Sequence, residues 1–372
     1  MKSYSQNRFP VGCTGYGTTG PIYTESQQQG LRDRSPNLDV LRALAVGFVV
    51  VSHLLIEHSY TSIGGYHTQS LGTLGVYIFF VHTCLVLMQS LERQCHTYGN
   101  RPIALGFFVA RAFRIYPMSI VIVVLVASVE WTFSDTPPSL FAFLSNVFLI
   151  QNLTGSPSVT PVLWSLPYEL QMYLFLPALF TVASSGRAWR RIVALWCASV
   201  ALVLLLWRFG LGVDLIRFFP CFLSGVLAYC LRNTPRTRPP FLLFAYVGAV
   251  AAIFPLLVGM RLSATVLSWV ICPMLAMIIP KCREVKSRWL QRCGDTIARY
   301  SYGIYLVHVP ILYLSFKYFD TLPRFAAWAL FISGVAIASY LAYHYIEKPG
   351  IEFGRVLMDR INGNRTQRAR NA

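Results

Sequence analysis

Ten stretches of this chain are apolar over a length that approaches a bilayer crossing: 42–58, 71–91, 116–134, 163–184, 191–208, 215–231, 241–259, 262–280, 298–317 and 323–347. A membrane helix needs about 20 such residues. Backbone polar groups in hydrocarbon must be satisfied within their own segment, so the runs predict helices and not strands. Residues 139–153, "SLFAFLSNVFLIQNL", form a shorter run. At ~1.5 Å per residue it cannot cross, and it predicts a re-entrant or interfacial piece.

Charge fixes the direction of these segments. The chain is 55% hydrophobic and only 13% charged, against about 25% charged for a soluble domain. Its net charge of +17 would suit nucleic acid if it formed a patch. It is instead split into short clusters between the apolar runs. With the N-terminus in the cytosol, 27 of the 32 basic residues fall on the inner side and 5 on the outer, alternating loop by loop. That is the pattern of topology signals. The expected fold is an all-α polytopic membrane protein of ten transmembrane helices with both termini cytosolic, in contact with lipid and not with nucleic acid. Residues 1–37 are expected to form a mobile cytosolic tail, 38–355 the membrane domain and 356–372 a basic cytosolic tail. No apolar stretch precedes the first run as a signal peptide would, so that run is expected to act as an uncleaved anchor. The nine cysteines show no metal-ligand spacing and are expected to be small buried hydrophobes.

Ionisable groups in a membrane helix cost at least ~2.5 kcal/mol each near its centre, so each needs a reason. Arg42 and His53 lie eleven positions apart, about 20° from alignment on one helix face and about 16 Å apart along the axis. Arg42 alone would serve as a snorkelling anchor and His53 alone as an interhelix hydrogen bond. On one face they suggest a polar track from the cytosol to the membrane centre. In "LWSLPYELQMYLFLP" (163–177), Glu169 and Gln171 sit among apolar residues with Trp164, Tyr168 and Tyr173. That carboxylate needs a partner, and His53, Arg111 and Arg114 are chemically suited. Arg111 and Arg114, in "FFVARAFRIYPMSI", share a face at the membrane edge and suit a phosphorylated ligand or a lipid headgroup. In "ARYSYGIYLVHVPI" (298–311), Tyr302, Tyr305 and His308 form a polar stripe interrupted by Pro310. Glu347, in "HYIEKP" at the close of the last helix, is expected to cap charge or pair with Lys348. His82 has a weaker context. No residue pattern points to a metal site.

In this order, the islands resemble the acyltransferase type-3 family of bacterial membrane proteins. The marks are the Arg-x10-His of Arg42 and His53, "RAFRIYP", "WSLPYELQMYLFLP", and "SYGIYLVHVPI" followed by "EKP". The likeness covers residues 36–355. It implies an inner-membrane enzyme that moves an acyl group, often acetyl, from cytosolic acyl-CoA to a hydroxyl of a sugar in a surface polysaccharide, a lipid-linked intermediate or another glycoconjugate. Arg42 and His53 map onto the residues most tied to activity, Arg111 and Arg114 onto the basic turn, and Glu169 onto the membrane carboxylate. The second helix departs from the pattern. "GVYIFFVHTCL" stands where "GVDLFFVLSGF" is common, with Tyr77 at the Asp position and His82 and Thr83 further on. That departure is expected to reshape the acceptor or acyl pocket. The fused extracytoplasmic domain of some relatives is not expected.

The expected roles follow. Arg42, Arg111 and Arg114 hold the phosphates of the acyl-CoA donor, acetyl-CoA above all. His53 acts as general base, or as a transient acyl carrier. Glu169 orients the imidazole, and Trp164, Tyr168, Gln171, Tyr173, Tyr305 and His308 line the acceptor site. A proton-coupled transporter would use the same intramembrane His and Glu. Such transporters often show internal repeats and Gly-broken helices, and neither is evident here.

Overall fold

The computed structural model describes residues 35–98, 103–184, 187–212, 214–319 and 321–370. Helix α1 spans Pro36–Glu57. A hairpin of β1 (Ser62–Ile63) and β2 (Tyr66–His67) leads into α2 (Thr68–Tyr98) and α3 (Ile103–Phe133). Two short helices, α4 (Leu140–Val147) and α5 (Gln151–Thr154), precede α6 (Leu166–Ala183). Then come α7 (Ala188–Arg208), α8 (Asp214–Cys230), α9 (Phe241–Gly259), α10 (Ala264–Ile278), α11 (Arg288–Tyr313), α12 (Arg324–Ala342) and α13 (Lys348–Arg370). Each of the ten apolar runs falls on a long helix. The 139–153 run breaks into α4 and α5 at Leu149, whose φ is 54°.

Among the described residues, seven helical spans are long and apolar enough to cross a bilayer: α1, α2, α3, α7, α9, α10 and the continuous α12–α13 rod. The other three runs lie on α6, α8 and α11. Helix α8 has 17 residues, α11 opens with the polar turns "RWLQRCGDTIAR", and α6 carries Glu169 and Gln171. Length therefore separates α8 from the seven, and polar content separates α6 and α11. Of the expected N-terminal tail, residues 1–34 lie outside the described part, and Asn37 is packed into the start of α1 at 2% exposure. The expected C-terminal tail continues α13 as helix through Arg370. Seven described cysteines are free; Cys84, Cys221, Cys272 and Cys282 are buried as expected, whereas Cys230 and Cys293 are half-buried and Cys197 is exposed. Cys95 differs in being disulfide-bonded.

Helices in lipid gain little from hiding apolar surface, so close approach of backbones matters more. Gly75 shows this at the α1–α2 seam. A Cβ there would lie 2.5 Å from the carbonyl oxygen of Ala45 and 2.9 Å from Val49 Cγ2. The start of α1 is held by a polar clasp. Asn37 Nδ2 donates to the Arg283 carbonyl (2.9 Å) and its Oδ1 accepts from Val285 N–H (3.0 Å). Glu284 accepts from Ser35 Oγ (2.8 Å) and from the Asn37 backbone N–H (3.0 Å), and it pairs with Arg236. A carboxylate on the first free N–H groups of a helix suits their partial positive charge. The clasp sets the position of α1, and with it Arg42 and His53.

Helix directions follow from the contacts. Gly294 and Ser301 of α11 meet Val40 and Arg42 of α1, and His308 meets His53, so α1 and α11 run parallel. Gly72 of α2 faces Ser52 while Gly75 faces Ala45, so α2 runs antiparallel to α1. Helices α2 and α8 run parallel, from Phe80–Phe222 to the Glu92–Arg232 ion pair at 2.6 Å.

Candidate functional site

Five helices, α1, α2, α3, α6 and α11, enclose a cavity of about 90 Å³. A cavity of that size has room for several waters or one small polar group. Arg42, Arg111, Arg114, Glu169, Tyr173 and Tyr305 line it, as do His82 and Thr83. The three arginines predicted to act together are therefore together, and Glu169 is with them. Arg42 donates from Nε to Ser301 Oγ at 2.5 Å, and its guanidinium interacts with Arg114, Glu169 and Glu347. Arg111 lies over the Phe107 ring at 5.9 Å. Three cations thus face two carboxylates, which leaves a positive remainder suited to an anionic ligand.

Glu169 does not contact His53. Its carboxylate accepts from Tyr173 at 2.5 Å and from Thr83, one helical turn away on α6 and across on α2 respectively. These bonds hold it toward the arginines. Glu347 lies in a π turn, Tyr343–Glu347, at 1% exposure. It faces Arg114 and Arg42 across Gly303, while Lys348 pairs with Glu352 at 3.9 Å. The expected Glu347–Lys348 pair is thus replaced by an inward carboxylate. Nothing in the chain pattern marks the π turn that swings it inward.

His53 sits on the same helix as Arg42, half-buried, outside the lining of the cavity. Its Nδ1 lies 2.9 Å from the Val49 carbonyl and 3.3 Å from Nε2 of His308. His308 is fully buried and its Nδ1 lies 3.0 Å from the Ile304 carbonyl. These acceptors assign the tautomers. His308 carries its proton on Nδ1, so its Nε2 accepts from His53 Nδ1–H. The lone pair of His53 is then left on Nε2. His308, expected among the acceptor-site residues, is the hydrogen-bond partner of His53. Tyr305 joins the two clusters. It lines the cavity, its ring lies 6.3 Å from that of His308, and its hydroxyl bonds Ser165 (2.7 Å) and the Val162 carbonyl (2.8 Å).

Three other expected acceptor residues point elsewhere. Tyr168 donates to Asp214 at 3.1 Å, Gln171 exchanges hydrogen bonds with Asn152 at 2.9 and 3.0 Å, and Trp164 packs on Tyr168 and Phe218. Gln171 joins α6 to α5, Tyr168 joins α6 to α8, and Trp164, in the turn before α6, packs on α8. Among the described residues no group of three or more His, Cys, Asp or Glu could hold a metal ion.

A family model described as "Acyltransferase domain" matches residues 35–344. A Bacillus subtilis (strain 168) protein named "Putative peptidoglycan O-acetyltransferase YrhL" is 27% identical over 368 residues, covering 84% of this chain and 54% of that protein. The chain spans about half the length of this curated relative. No solved structure matches.

Proposed function

Because the chain belongs to the acyltransferase domain family, we propose that it is a membrane O-acyltransferase that moves an acetyl group from cytosolic acetyl-CoA to a hydroxyl of a sugar in a surface glycan. The observation that carries this reading is the His53–His308 pair, which frees one imidazole nitrogen as a base on the helix that also bears Arg42. The named activity of the Bacillus relative, peptidoglycan O-acetylation, supports a carbohydrate acceptor.

The donor approaches from the cytosol and its anionic end meets Arg42, Arg111 and Arg114. Its arm passes Tyr305 to reach His53. Nε2 of His53 takes the proton of the acceptor hydroxyl, and that oxygen attacks the thioester carbonyl carbon. The tetrahedral intermediate collapses, the C–S bond breaks, and the departing thiolate takes the proton back from the imidazolium. The products are the sugar ester and free CoA. While His53 is charged, its Nδ1–H remains shared between the Val49 carbonyl and His308 Nε2, which together stabilise the cation and hold the ring in place. Glu169 and Glu347 act as counter-charges that keep three buried guanidiniums tolerable before the donor arrives.

In this reading the protein crosses the inner membrane ten times with both ends in the cytosol. Helix directions support that count. Helices α1 and α11, first and ninth of the ten, run parallel, as do α2 and α8, second and sixth. Both pairs match the parity that ten crossings require. The test is transfer of labelled acetyl from acetyl-CoA to cell-envelope glycan in inverted membrane vesicles. Loss of transfer in His53→Ala, with normal insertion, is expected. Undiminished transfer would overturn the assignment of the base.

A further inference from the structure

Every hydroxyl that lines the arginine cavity is engaged by the protein itself. Tyr173 and Thr83 donate to Glu169. Ser301 donates to the Ala298 carbonyl, Tyr302 to the Ile115 carbonyl and Tyr305 to the Val162 carbonyl. Two lining residues, Arg111 and His82, each keep a fully buried nitrogen without a hydrogen-bond partner, Nε and Nδ1 respectively. Buried polar atoms are rarely left so in a folded protein, and an orphan atom calls for an explanation. His82 is 3% exposed. Its ring is hydrogen-bonded to the backbone of Leu38, and with Nδ1 free that bond belongs to Nε2. A carbonyl acceptor there puts the proton of the neutral ring on Nε2 and leaves Nδ1 as an acceptor. The unpartnered Arg111 Nε–H is a donor.

Arg111 Nε and His82 Nδ1 are the two fully buried polar atoms of the described lining left without a partner, and a donor and an acceptor at the wall of one cavity suit a secondary amide, which offers one carbonyl and one N–H. A phosphate offers acceptors only and would leave His82 Nδ1 unpaired. The thioester donor proposed above carries two such amides on its pantetheine arm, between its phosphates and its sulfur. We propose that Arg111 Nε and His82 Nδ1 grip a pantetheine amide, and that His82 is a positioning residue for the donor arm. This rests on the acyl-CoA reading and adds to it a residue that recognises the arm and not the nucleotide. The arm is shared by CoA and by acyl carrier proteins, so both are sources to be tested.

The full-length protein in nanodiscs is titrated with CoA, with 4′-phosphopantetheine, with holo-acyl carrier protein, and with adenosine 3′,5′-bisphosphate, which has no arm. His82→Leu, of similar volume, is expected to weaken CoA and 4′-phosphopantetheine about tenfold by loss of one buried hydrogen bond. Binding of the bisphosphate is expected to stay unchanged. His82→Asn, which keeps an acceptor, is expected to recover most of the loss, and in turnover the leucine variant is expected to raise KM for acetyl-CoA more than it lowers kcat. Competition by the carrier protein would assign it as donor, and competition by CoA alone would assign the nucleotide. Equal weakening of CoA and the bisphosphate, or no change in either, overturns the role of His82 while leaving the donor intact. Failure of the wild-type protein to bind any arm-bearing probe would overturn the acyl-CoA reading itself, and this inference with it.

Discussion

Replacing His308 by Leu removes one of the two acceptors that face His53 Nδ1–H, leaving the Val49 carbonyl at 2.9 Å, without touching the proposed base. The lost contact spans 3.3 Å between two rings whose centroids are 5.1 Å apart. In the resting enzyme it is a neutral hydrogen bond worth about 1 kcal/mol. In the transition state His53 carries charge, and hydrogen bonds to charged groups are worth roughly 1.5–3 kcal/mol. The differential of about 0.5–2 kcal/mol falls on kcat, and at about 1.4 kcal/mol per tenfold it amounts to roughly 2- to 30-fold. Removing the base itself, in His53→Ala, is expected to cost about 10²- to 10⁴-fold. If His308 acts only through His53, the double variant is no slower than His53→Ala alone. His308→Gln, whose amide oxygen can accept the same proton, is expected to recover part of the rate. The assay is initial-rate transfer of labelled acetyl in vesicles at saturating acetyl-CoA, normalised to inserted protein. Multiplying losses in the double variant, or a His308→Leu effect confined to KM, would refute the orienting role.

Three other outcomes are expected. Arg42→Ala loses the Ser301 bond and one of three cavity cations, and should weaken CoA binding more at low salt than at high salt; unchanged affinity by titration would return Arg42 to an anchoring role. Asn37→Leu leaves the Arg283 carbonyl and the Val285 N–H without their partner and should cost roughly 2–4 kcal/mol of stability, read as a lower thermal midpoint in detergent. Gly75→Val forces α1 and α2 apart where Ala45 and Val49 press on it; it should cost roughly 1–3 kcal/mol by overpacking and lower the yield of folded protein on size-exclusion chromatography.

Helix positions were legible because hydrocarbon imposes one simple rule on every segment, and all ten runs became helices. The convergence of Arg42, Arg111, Arg114 and Glu169 was legible for a related reason, since charges inside a membrane must find each other. The partner of each group was less so. Glu169 was expected to be able to reach His53, yet it is turned to the arginines by Tyr173 and Thr83, and His53 meets His308 instead. Periodicity gives the face of a helix but not which neighbour that face meets. The partners of Tyr168 and Gln171, Asp214 and Asn152, were hidden for the same reason: spacing along α6 does not show which neighbouring helix a polar residue meets. His82 offered only a lone imidazole, because its unpartnered Nδ1 exists only once α2 is packed against its neighbours.

The clasp at Asn37 has a consequence for donor choice. Because α1 is an unbroken helix from Pro36 to Glu57, Arg42 and His53 ride on one stiff rod, and their spacing works as a ruler. Inserting a single residue between them would swing the imidazole by about 100° and lift it by about 1.5 Å, off His308 and off the axis of the arm. Carriers of another length would therefore have to be accommodated by side chains around the rod and not by the rod itself.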